Sequence, residues 1–450
     1  MSEKPSRLRL PHPLVLMSGC VFAAAALTWI VPAGAFDRQL DEETGRMVAV
    51  AGSYQPVDAE PVGPVDALVA IPRGITEVGD IIALIFLIGG ALTVIDRTGA
   101  LERGVGWVVR ALGGQGALVL PLVCVVFATG GVLFNMAEEI VALVPILLVL
   151  THRLGYPPVV AAMVSVGPAA LGSAFSPMNP FQVLIAQNVA DLPPGSGSGF
   201  RTLFLMLALA AWIALTLRVA ARSRSGSAAV EHADAPLKPT DIAILAALLG
   251  TFAWLGWGIL MQDWDFLQMA GPFFGLGILA GLLGGLGTAR TADAFVAGFR
   301  DMTFAGVLIG MARAIVLVMQ DGSVVDTLVR ALFIPLEGLP TLVSAVGMIA
   351  AQALVHIPVS SVSGQAVLTM PIVAPLADLL GMSRQVAVLA YQYGAGLMDM
   401  ITPTNGALMA VLAAAGVRYE EWFSVAVRAW LLLMAIGAVS VGAALAIGLS

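Results

Sequence analysis

The chain has 450 residues, of which 59% are hydrophobic and 11% are charged, with a formal net charge of −7. So apolar a composition excludes a soluble globular protein and predicts a polytopic membrane protein, with room for about ten spans of about 20 residues each. Basic runs are too short to suggest a nucleic-acid partner, and the scattered cysteines and histidines favour neither a disulfide nor a metal site.

The first apolar run covers residues 14–31 and follows a basic segment at residues 4–9. The run exceeds the core of an export signal, which has about 7–15 residues, so we interpret it as a retained span that runs outward. Residues 36–80 are polar and rich in Asp and Glu. We therefore assign residues 1–80 to a first helix and an external excursion.

Residues 81–220 predict a span, a hairpin, a broken span and a closing span. These are residues 81–95, the hairpin arms 117–134 and 140–151, the broken span 159–190, and residues 203–220. Each arm is short for a crossing, so we predict a re-entrant hairpin that enters from the cytoplasm and turns at residues 134–140. The polar, basic stretch 221–240 predicts a cytoplasmic linker.

Residues 241–303 predict two connecting helices, at 242–260 and 271–287, around an acidic outer loop with Asp263 and Asp265. An interfacial cytoplasmic segment is expected at residues 291–300. Residues 304–450 repeat the earlier order of elements, with a second hairpin that enters from outside. They comprise a span at 304–320, hairpin arms at 341–357 and 366–380 around a tip at 358–365, a broken span at 385–415, and a final span at 423–449.

Residues 141–179 recur at residues 367–405 without a gap, and twelve positions match. The matches include Pro145 with Pro371, Gly155 with Gly381, Pro177 with Pro403 and Asn179 with Asn405, while Gly99 aligns with Gly322 at an offset of 223. Duplicated halves with interrupted apolar helices are typical of secondary transporters. The chain thus predicts an all-α, inverted-repeat transporter with about nine transmembrane helices, two re-entrant hairpins and two broken helices.

Both interruptions, at residues 173–180 and 399–406, bring polar side chains into an apolar run. Irregular backbone inside a membrane needs protein or water to satisfy it, and the freed groups can bind ions or substrate. The candidate binding residues are Ser173, Ser176, Asn179, Asp399, Thr402, Thr404 and Asn405. A sodium ion could be bound by Ser173, Asn179, Thr402 and Asn405, and no other metal is expected. Two equivalent breaks favour a site over the alternative, ordinary proline kinks.

The hairpin tips form a second candidate constellation. In the first tip, Glu138 and Glu139 lie within an apolar stretch, where ionisable residues are costly and are functional candidates. Such carboxylates could bind protons, sodium or a cationic substrate group, although a position at the cytoplasmic interface is the alternative. The second tip contributes Ser360, Ser361, Ser363 and Gln365.

Two further ionisable residues lie within apolar helices. Arg313 could pair with Glu138, Glu139 or Asp399, or it could bind a substrate carboxylate. His356 precedes the second tip, where a structural role is favoured over a proton relay. No cofactor is expected beyond possible coupling to sodium or protons.

These residues resemble the YfcC branch of the DcuC-like, four-carbon dicarboxylate carrier family of the ion-transporter superfamily. The resemblance runs nearly end to end, through residues 11–13, 27–34, 136–139 and 173–181, and is densest at residues 360–378 and 401–405. Asn405 departs from the serine that is more usual there. The resemblance implies a secondary carrier of the bacterial inner membrane, commonly a homodimer, whose hairpins and unwound helices form substrate and ion sites. Its relatives carry dicarboxylates, aminobenzoyl-glutamate or basic amino acids.

Glu138 and Glu139 favour a cationic or zwitterionic solute, whereas Arg313 and the half-helix N-termini favour a carboxylate. An amino acid satisfies both. We therefore predict a secondary active transporter of a small charged solute, preferably an amino acid and in particular a basic one moved by exchange. The alternatives are a C4-dicarboxylate carrier coupled to sodium or protons and, less favoured, an ion channel or a membrane scaffold. No nucleophile–base pair suggests an enzyme.

Overall fold

The computed structural model describes residues 13–41, 46–50, 52–111, 116–223, 236–262, 264–336 and 338–449. Within these ranges the chain is mainly helical, because a helix satisfies its own backbone hydrogen bonds where no water is present. Among the described residues, six helices are long and apolar enough to cross a membrane, and shorter apolar helices of 10–17 residues accompany them. The predicted helical, polytopic fold class is confirmed. The N-terminal basic segment, most of the predicted linker and Asp263 lie outside the described residues.

The first half contains a helical hairpin followed by an interrupted helix. Its elements are α1 (Pro13–Thr28), α2 (Pro64–Glu77), α3 (Gly79–Thr98), α4 (Ala100–Ala111), α5 (Gly116–Phe134), α6 (Glu138–Arg153), α7 (Pro158–Ala174), a π-helical turn (Pro180–Leu184), α8 (Ile185–Val189) and α9 (Ser198–Ser223). The arms of the hairpin are α5 and α6. The interrupted helix runs from α7 through the π-helical turn to α8.

The second half has the same order of elements after two connecting helices. Its elements are α10 (Pro239–Gln262), α11 (Phe266–Leu283), α12 (Gly287–Asp321), α13 (Val325–Phe333), a 3₁₀ turn (Ile334–Leu336), α14 (Thr341–His356), α15 (Val362–Leu379), α16 (Arg384–Met398), α17 (Gly406–Ala414) and α18 (Tyr419–Ile447). The arms of the second hairpin are α14 and α15. The second interrupted helix consists of α16 and α17.

Four short strands follow α1 within the predicted excursion. β1 (Gly34–Ala35) pairs with β4 (Gln55–Pro56), and β2 (Arg38–Asp41) pairs with β3 (Arg46–Ala49), both antiparallel. β1 lies against α13 and β3 lies against α15, and the backbone N–H of Phe36 donates to Asp326 of α13 at 2.8 Å. The excursion is therefore folded onto the second half of the chain.

The predicted external excursion is wrong for residues 64–80, because most of these residues form the helix α2. After the single residue Val78, α2 continues into α3, so that residues 64–98 run along α12. The contact is antiparallel and close: a Cβ on Gly74 would collide with the carbonyl of Gly310, and one on Gly298 would collide with the carbonyl of Gly89. α2 makes this contact with its apolar face. Because its other face is polar, the segment contains no continuous apolar run, and the sequence pattern therefore did not predict a helix here.

The prediction of a separate interfacial element at residues 291–300 is also wrong, because these residues belong to α12. This helix has 35 residues, which gives a length of about 52 Å at about 1.5 Å per residue, well above the thickness of about 30 Å of a bilayer core. Residues 64–98 have the same length and begin 223 residues earlier. The offset of Gly99 and Gly322 thus extends over the whole of α2–α3 and α12.

The hairpins of the two halves share local geometry. Gly155 and Gly381 end α6 and α15 in the left-handed region, with φ of 78° and 68°, which glycine adopts without strain. Pro145 and Pro371 lie inside the same two helices. The halves also interlock, because α6 packs against α17 and α15 packs against α8.

Ion pairs join segments that the predicted topology puts in the cytoplasm. Arg103 binds Asp241 at 2.6 Å, which connects α4 to the start of α10. Arg153, at the base of the first hairpin, binds Glu102 at 2.7 Å. The carboxylate of Asp241 raises the pKa of the Arg103 guanidinium, chiefly through their hydrogen bond. These contacts agree with a shared cytoplasmic side for both segments.

A similar set of contacts joins segments that the topology puts outside. Arg384, at the base of the second hairpin, binds Asp378 at 2.9 Å and Asp191 at 2.6 Å. Asp191 follows α8, so the end of the first interrupted helix meets the base of the second hairpin. The contact of Phe36 with Asp326 lies on the same predicted side.

Accessibility labelling tests this topology. In a background with Cys20 and Cys124 replaced by alanine, Ser227→Cys lies in the predicted cytoplasmic linker and Gly338→Cys in the predicted outer segment. Gly338 is exposed, with open space around its Cα. We expect a membrane-impermeant maleimide to label intact cells at position 338 only. Labelling of Ser227→Cys from outside would contradict the inverted-repeat topology.

The close approach of the first hairpin to the first interrupted helix gives a stability prediction. A Cβ on Gly172 of α7 would overlap the carbonyl of Ala128 in α5, so Gly172→Ala must push the two helices apart. We expect a loss of about 1–3 kcal/mol, the usual cost of overpacking, seen as a lower thermal unfolding midpoint. Gly271→Ala is the control, because nothing lies within 4 Å of its added methyl group. Equal midpoints for both variants would show that the contact can relax.

Candidate functional site

The first interruption is closed by Asn179. Its side-chain oxygen accepts from the N–H groups of Phe181 and Gln182 at 2.9 and 3.0 Å, and its amide donates to the carbonyl of Gly131 at 2.7 Å. Ser176 accepts from the N–H of Asn179 at 2.8 Å. Asn179 therefore caps the second half-helix and ties it to α5, as expected for an N-cap residue.

The carbonyls released by the first interruption are satisfied by an amide from the other half of the chain. The side chain of Gln392, in α16, donates to the carbonyl of Ser176 at 3.1 Å, and the backbone carbonyl of Gln392 accepts from the side chain of Gln182 at 3.0 Å. Arg201 of α9 holds the Gln392 side chain at 2.7 Å and that of Gln385 at 2.8 Å. This region is thus a closed network of neutral amides around one buried guanidinium.

The second interruption is closed by Asn405 in the same way. Its oxygen accepts from the N–H of Leu408 at 2.8 Å, and its amide donates to Asp399 at 2.6 Å. The carbonyls of Met400 and Ile401 accept from Trp422 and Tyr419 of α18. Here the neighbours of the capping residue include a carboxylate.

Thr402 and Thr404, also in the second interruption, are buried. Their hydroxyls lie 3.1 Å apart, and Thr404 donates to the carbonyl of Ile357 at 2.7 Å. They therefore attach the interruption to the second hairpin.

The tip of the second hairpin contributes one buried amide. Gln365 lies 2.9 Å from the imidazole of His356, whose other nitrogen lies 2.9 Å from Asp399. Ser361 caps α15 by accepting from the N–H of Gly364 at 3.3 Å. Ser360 and Ser363 are half-buried at the same tip.

The tip of the first hairpin places two carboxylates at the start of α6. Glu139 is buried, and its carboxylate accepts from the backbone N–H of Ala137 at 3.1 Å. Glu138 is half-buried, and the charges that act on it are Glu139, Asp399 and Asp80. Asp80 was not among the predicted site residues, because it precedes an apolar run at the end of a polar stretch.

A small cavity lies between the first hairpin tip and the second interruption. Its volume of about 30 Å³ is enough for one or two water molecules. Its polar lining consists of Asn135, Ser173, Asp399 and Asn405, and Ser173 donates to the side-chain oxygen of Asn135. The structure thus brings together predicted site residues from both halves. The remaining predicted residues do not line this cavity.

Arg313 does not pair with Glu138, Glu139 or Asp399, which corrects the predicted ion pairs. Its guanidinium binds Glu77 at 2.7 Å, and both side chains are about one-third exposed or more, at 36% and 40%. Glu77 ends α2, so this pair lies at the junction of α2 with α3. In the described part of the chain, the carboxylates around the cavity have no ion-pair partner other than His356.

The four possible sodium ligands are engaged in hydrogen bonds. The oxygens of Asn179 and Asn405 cap half-helices, Thr402 contacts Thr404, and Ser173 lies 2.7 Å from Gln182. No cluster of three or more His, Cys, Asp or Glu suited to a metal occurs in the residues that the structure describes. These oxygens therefore have capping and bridging roles in this conformation, and sodium binding by them stays a prediction.

Several residues of this region escaped the sequence prediction, above all Gln182, Gln392 and Arg201. The sequence signal for these residues was a polar side chain within an apolar run. This signal is weak, because many polar residues in such runs do not contact an interruption. Only the three-dimensional contact shows that Gln392 serves an interruption 216 residues earlier. Their role here is to satisfy backbone groups that the interruption leaves open.

A family model and two related proteins match nearly the whole chain. The model of the DcuC family, described as a C4-dicarboxylate anaerobic carrier, matches residues 10–446. The chain is 32% identical over 476 residues, covering 94% of both chains, to YfcC of Escherichia coli (strain K12), a candidate basic amino acid antiporter. It is 27% identical over 479 residues, again covering 94% of both chains, to a protein of Haemophilus influenzae (strain Rd).

Two solved structures are similar over most of their length. One is the YdaH transporter of Alcanivorax borkumensis, with a TM-score of 0.45, 17% identity, and coverage of 97% of this chain and 99% of that chain. The other is MtrF of Neisseria gonorrhoeae, assigned to a class of antimetabolite efflux pumps, with a TM-score of 0.44, 17% identity, and coverage of 96% and 94%.

The two capping asparagines give a prediction for this region. Asn179→Ala and Asn405→Ala each remove an N-cap, which costs about 0.5–2 kcal/mol. We expect a lower thermal unfolding midpoint for both in detergent, with the protein still folded. Asn179→Ser keeps an N-cap oxygen and should restore most of the loss. Gln262→Ala, at an exposed amide that bonds only to the adjacent Met261 carbonyl in the structure, is the control. Alanine variants as stable as this control would show that the asparagines do not cap the half-helices.

Proposed function

Since this chain belongs to the DcuC family, we propose that it is a secondary active transporter of a small charged solute, with a basic amino acid as the preferred substrate. The resemblance seen in the sequence is confirmed by the family match over residues 10–446 and by the relative that is 32% identical. The chain is therefore a multi-pass membrane protein of a transporter family. We propose exchange as the mode of transport, the bacterial inner membrane as the location, and a homodimer as the assembly.

The excess of carboxylates around the cavity carries the proposal for the substrate. Asp399 lines the cavity, Glu138 and Glu139 begin the adjacent helix, and the charge of Asp80 acts on the same group. Carboxylates at such depth are costly without a cationic partner. A solute with a guanidinium or ammonium group would provide that partner through charge-assisted hydrogen bonds.

An α-amino acid also carries a carboxylate. The N-terminus of α17 begins beside the cavity at Asn405, and its positive dipole end would favour that group. Leu408 and Ala407 of the same turn line the cavity. A basic amino acid could therefore be bound with its side chain towards the acidic hairpin tip and its carboxylate towards α17. The name of the Escherichia coli relative supports this substrate class.

A C4-dicarboxylate is the second candidate, and the description of the family model favours it. Two carboxylates would need cationic partners, and the guanidinium groups of Arg313 and Arg201 are already engaged. Arg313 binds Glu77, and Arg201 binds Gln385 and Gln392. The acidic set would repel a dianion, so the charge balance favours the basic amino acid.

The small volume of the cavity supports alternating access. A space of about 30 Å³ cannot hold an amino acid, so a hairpin or a half-helix must move for the solute to enter. The tip of the first hairpin borders the cavity at Asn135, Met136 and Ala137, where Asn135 contacts Ser173. We propose that movement of this tip opens the cavity to one side of the membrane.

Uptake of radiolabelled arginine into arginine-loaded proteoliposomes tests the proposal. Glu138→Gln and Glu139→Gln should each raise the KM for arginine by about ten-fold to one-hundred-fold, because hydrogen bonds to a charged group contribute about 1.5–3 kcal/mol. Glu421→Gln, at a side chain on the first turn of α18 away from the cavity, is the matched control and should leave the KM unchanged.

The dicarboxylate alternative is tested in the same vesicles with labelled succinate. Arg313→Gln should weaken succinate transport if that arginine binds a substrate carboxylate. If it does not, the substitution should affect the protein only through the loss of the ion pair with Glu77. Transport of succinate but not of arginine by the wild type would contradict the proposed substrate class. Equal rates for an unloaded and a loaded vesicle would contradict exchange.

A further inference from the structure

Four polar side chains form one hydrogen-bonded row between the second hairpin and the second interruption. The row runs from Gln352 through Gln365 and His356 to Asp399, with distances of 2.6, 2.9 and 2.9 Å. Asn405 completes it, with its amide 2.6 Å from the same oxygen of Asp399. His356 is fully buried, whereas Asp399 is partly open to the cavity.

The orientation of Gln365 fixes one proton of the imidazole. The amide nitrogen of Gln365 lies 2.8 Å from the backbone carbonyl of Gln352, and a carbonyl can only accept. The oxygen of Gln365 must then face Nδ1 of His356. Since that oxygen also only accepts, Nδ1 carries a hydrogen.

The contact between Nε2 of His356 and Asp399, on the opposite side of the imidazole ring, requires a second proton. Asn405 accepts from the N–H of Leu408 through its oxygen, so its amide nitrogen faces Oδ1 of Asp399 as a donor. Nε2 of His356 faces the same Oδ1 at 2.9 Å. If neither group carried a proton there, a lone pair would face an anionic oxygen. The contact therefore holds either an imidazolium with a carboxylate or a neutral imidazole with a carboxylic acid, and both forms contain the same single proton.

The surroundings of the pair favour keeping this proton. Asp399 interacts electrostatically with Glu138 of α6, a group that Glu139 and Asp80 of α3 also affect, and neighbouring acidic groups disfavour a bare carboxylate. Other titratable or charged groups on the neighbouring elements include Tyr391 of α16, Tyr419 of α18, and the ion pair of Arg313 in α12 with Glu77 in α2. Both tyrosines donate to backbone carbonyls, and the arginine is neutralised by its partner. No other cation among the described residues contacts Asp399.

We propose that His356 and Asp399 jointly bind one proton, and that a positively charged solute in the adjacent cavity displaces it, so that this pair is the proton-coupling site. A cation beside Asp399 stabilises the bare carboxylate and repels an imidazolium, and both effects release the proton towards the cavity. The shared proton follows from the geometry alone, whereas its displacement by solute rests on the proposed function. On this proposal His356 has the proton-relay role, the less favoured of the two alternatives that its sequence position left open.

The chain allows the shared proton to be observed directly, because it has four histidines. In a variant with His12→Gln, His152→Gln and His232→Gln, His356 is the remaining imidazole and can be followed by ¹⁵N NMR in nanodiscs. We expect Nδ1 to be protonated throughout the titration. In the same background, Asp399→Asn offers an amide donor to Nε2, and the ring should then stay neutral at a pH where the parent still carries the additional proton. A neutral ring with its proton on Nε2 alone would overturn the assignment.

Coupling is tested with the purified protein in weak buffer and a pH indicator. Arginine added to the wild type should release close to one proton per bound solute, and His356→Gln should abolish this release. His152→Gln, at the end of α6, is the matched control and should preserve it. Release that persists in His356→Gln, or binding without release in the wild type, would overturn the coupling site. Failure of arginine to shift the thermal midpoint of the wild type would count against the proposed substrate instead, while the NMR titration would still decide the shared proton.

Discussion

The backbone groups exposed by two interrupted helices are the constraint on which the rest of this structure depends. A bilayer core supplies no water, so each open N–H and C=O must find a partner within the protein. Asn179 and Asn405 satisfy the N–H groups of the following half-helices. Gln392 and Trp422 satisfy carbonyls on the other side of each interruption. These partners come from distant parts of the chain, so the interruptions determine how the halves are assembled.

The two interruptions have diverged in chemistry while keeping the same backbone solution. At the first, the supporting network consists of amides around Arg201, whose charge is enclosed and has no access to the cavity. At the second, the capping asparagine contacts Asp399, which contacts His356. A neutral network stabilises one conformation, whereas a pair that can gain or lose a proton can favour different conformations in different states. We therefore regard the first interruption as mainly structural and the second as the part that responds to solute.

The sequence predicted those features that depend on local pattern. Both hairpins, both interruptions and the equivalence of Gly155 with Gly381 follow from apolar runs, proline and glycine, because these act within a few residues. It failed where one face of a helix decides the structure. Residues 64–77 form an amphipathic helix against α12, and their polar face suggested an external loop. It also failed for Gln392, Asp80 and the partner of Arg313, since a long-range contact leaves no periodic signal in a single sequence.

The position of the acidic residues also limits what the carrier can do when empty. Asp399 and Asp80 both act electrostatically on Glu138, and bare carboxylates in an apolar environment repel each other and are poorly solvated. On the proposed function, the empty site holds a proton or a cation, and the row from Gln352 to Asp399 provides one fixed position for a proton. Such a site is suited to exchange, because one positive ligand leaves only when another replaces it. We therefore propose that the charge of the site, more than its shape in this closed conformation, selects the solute.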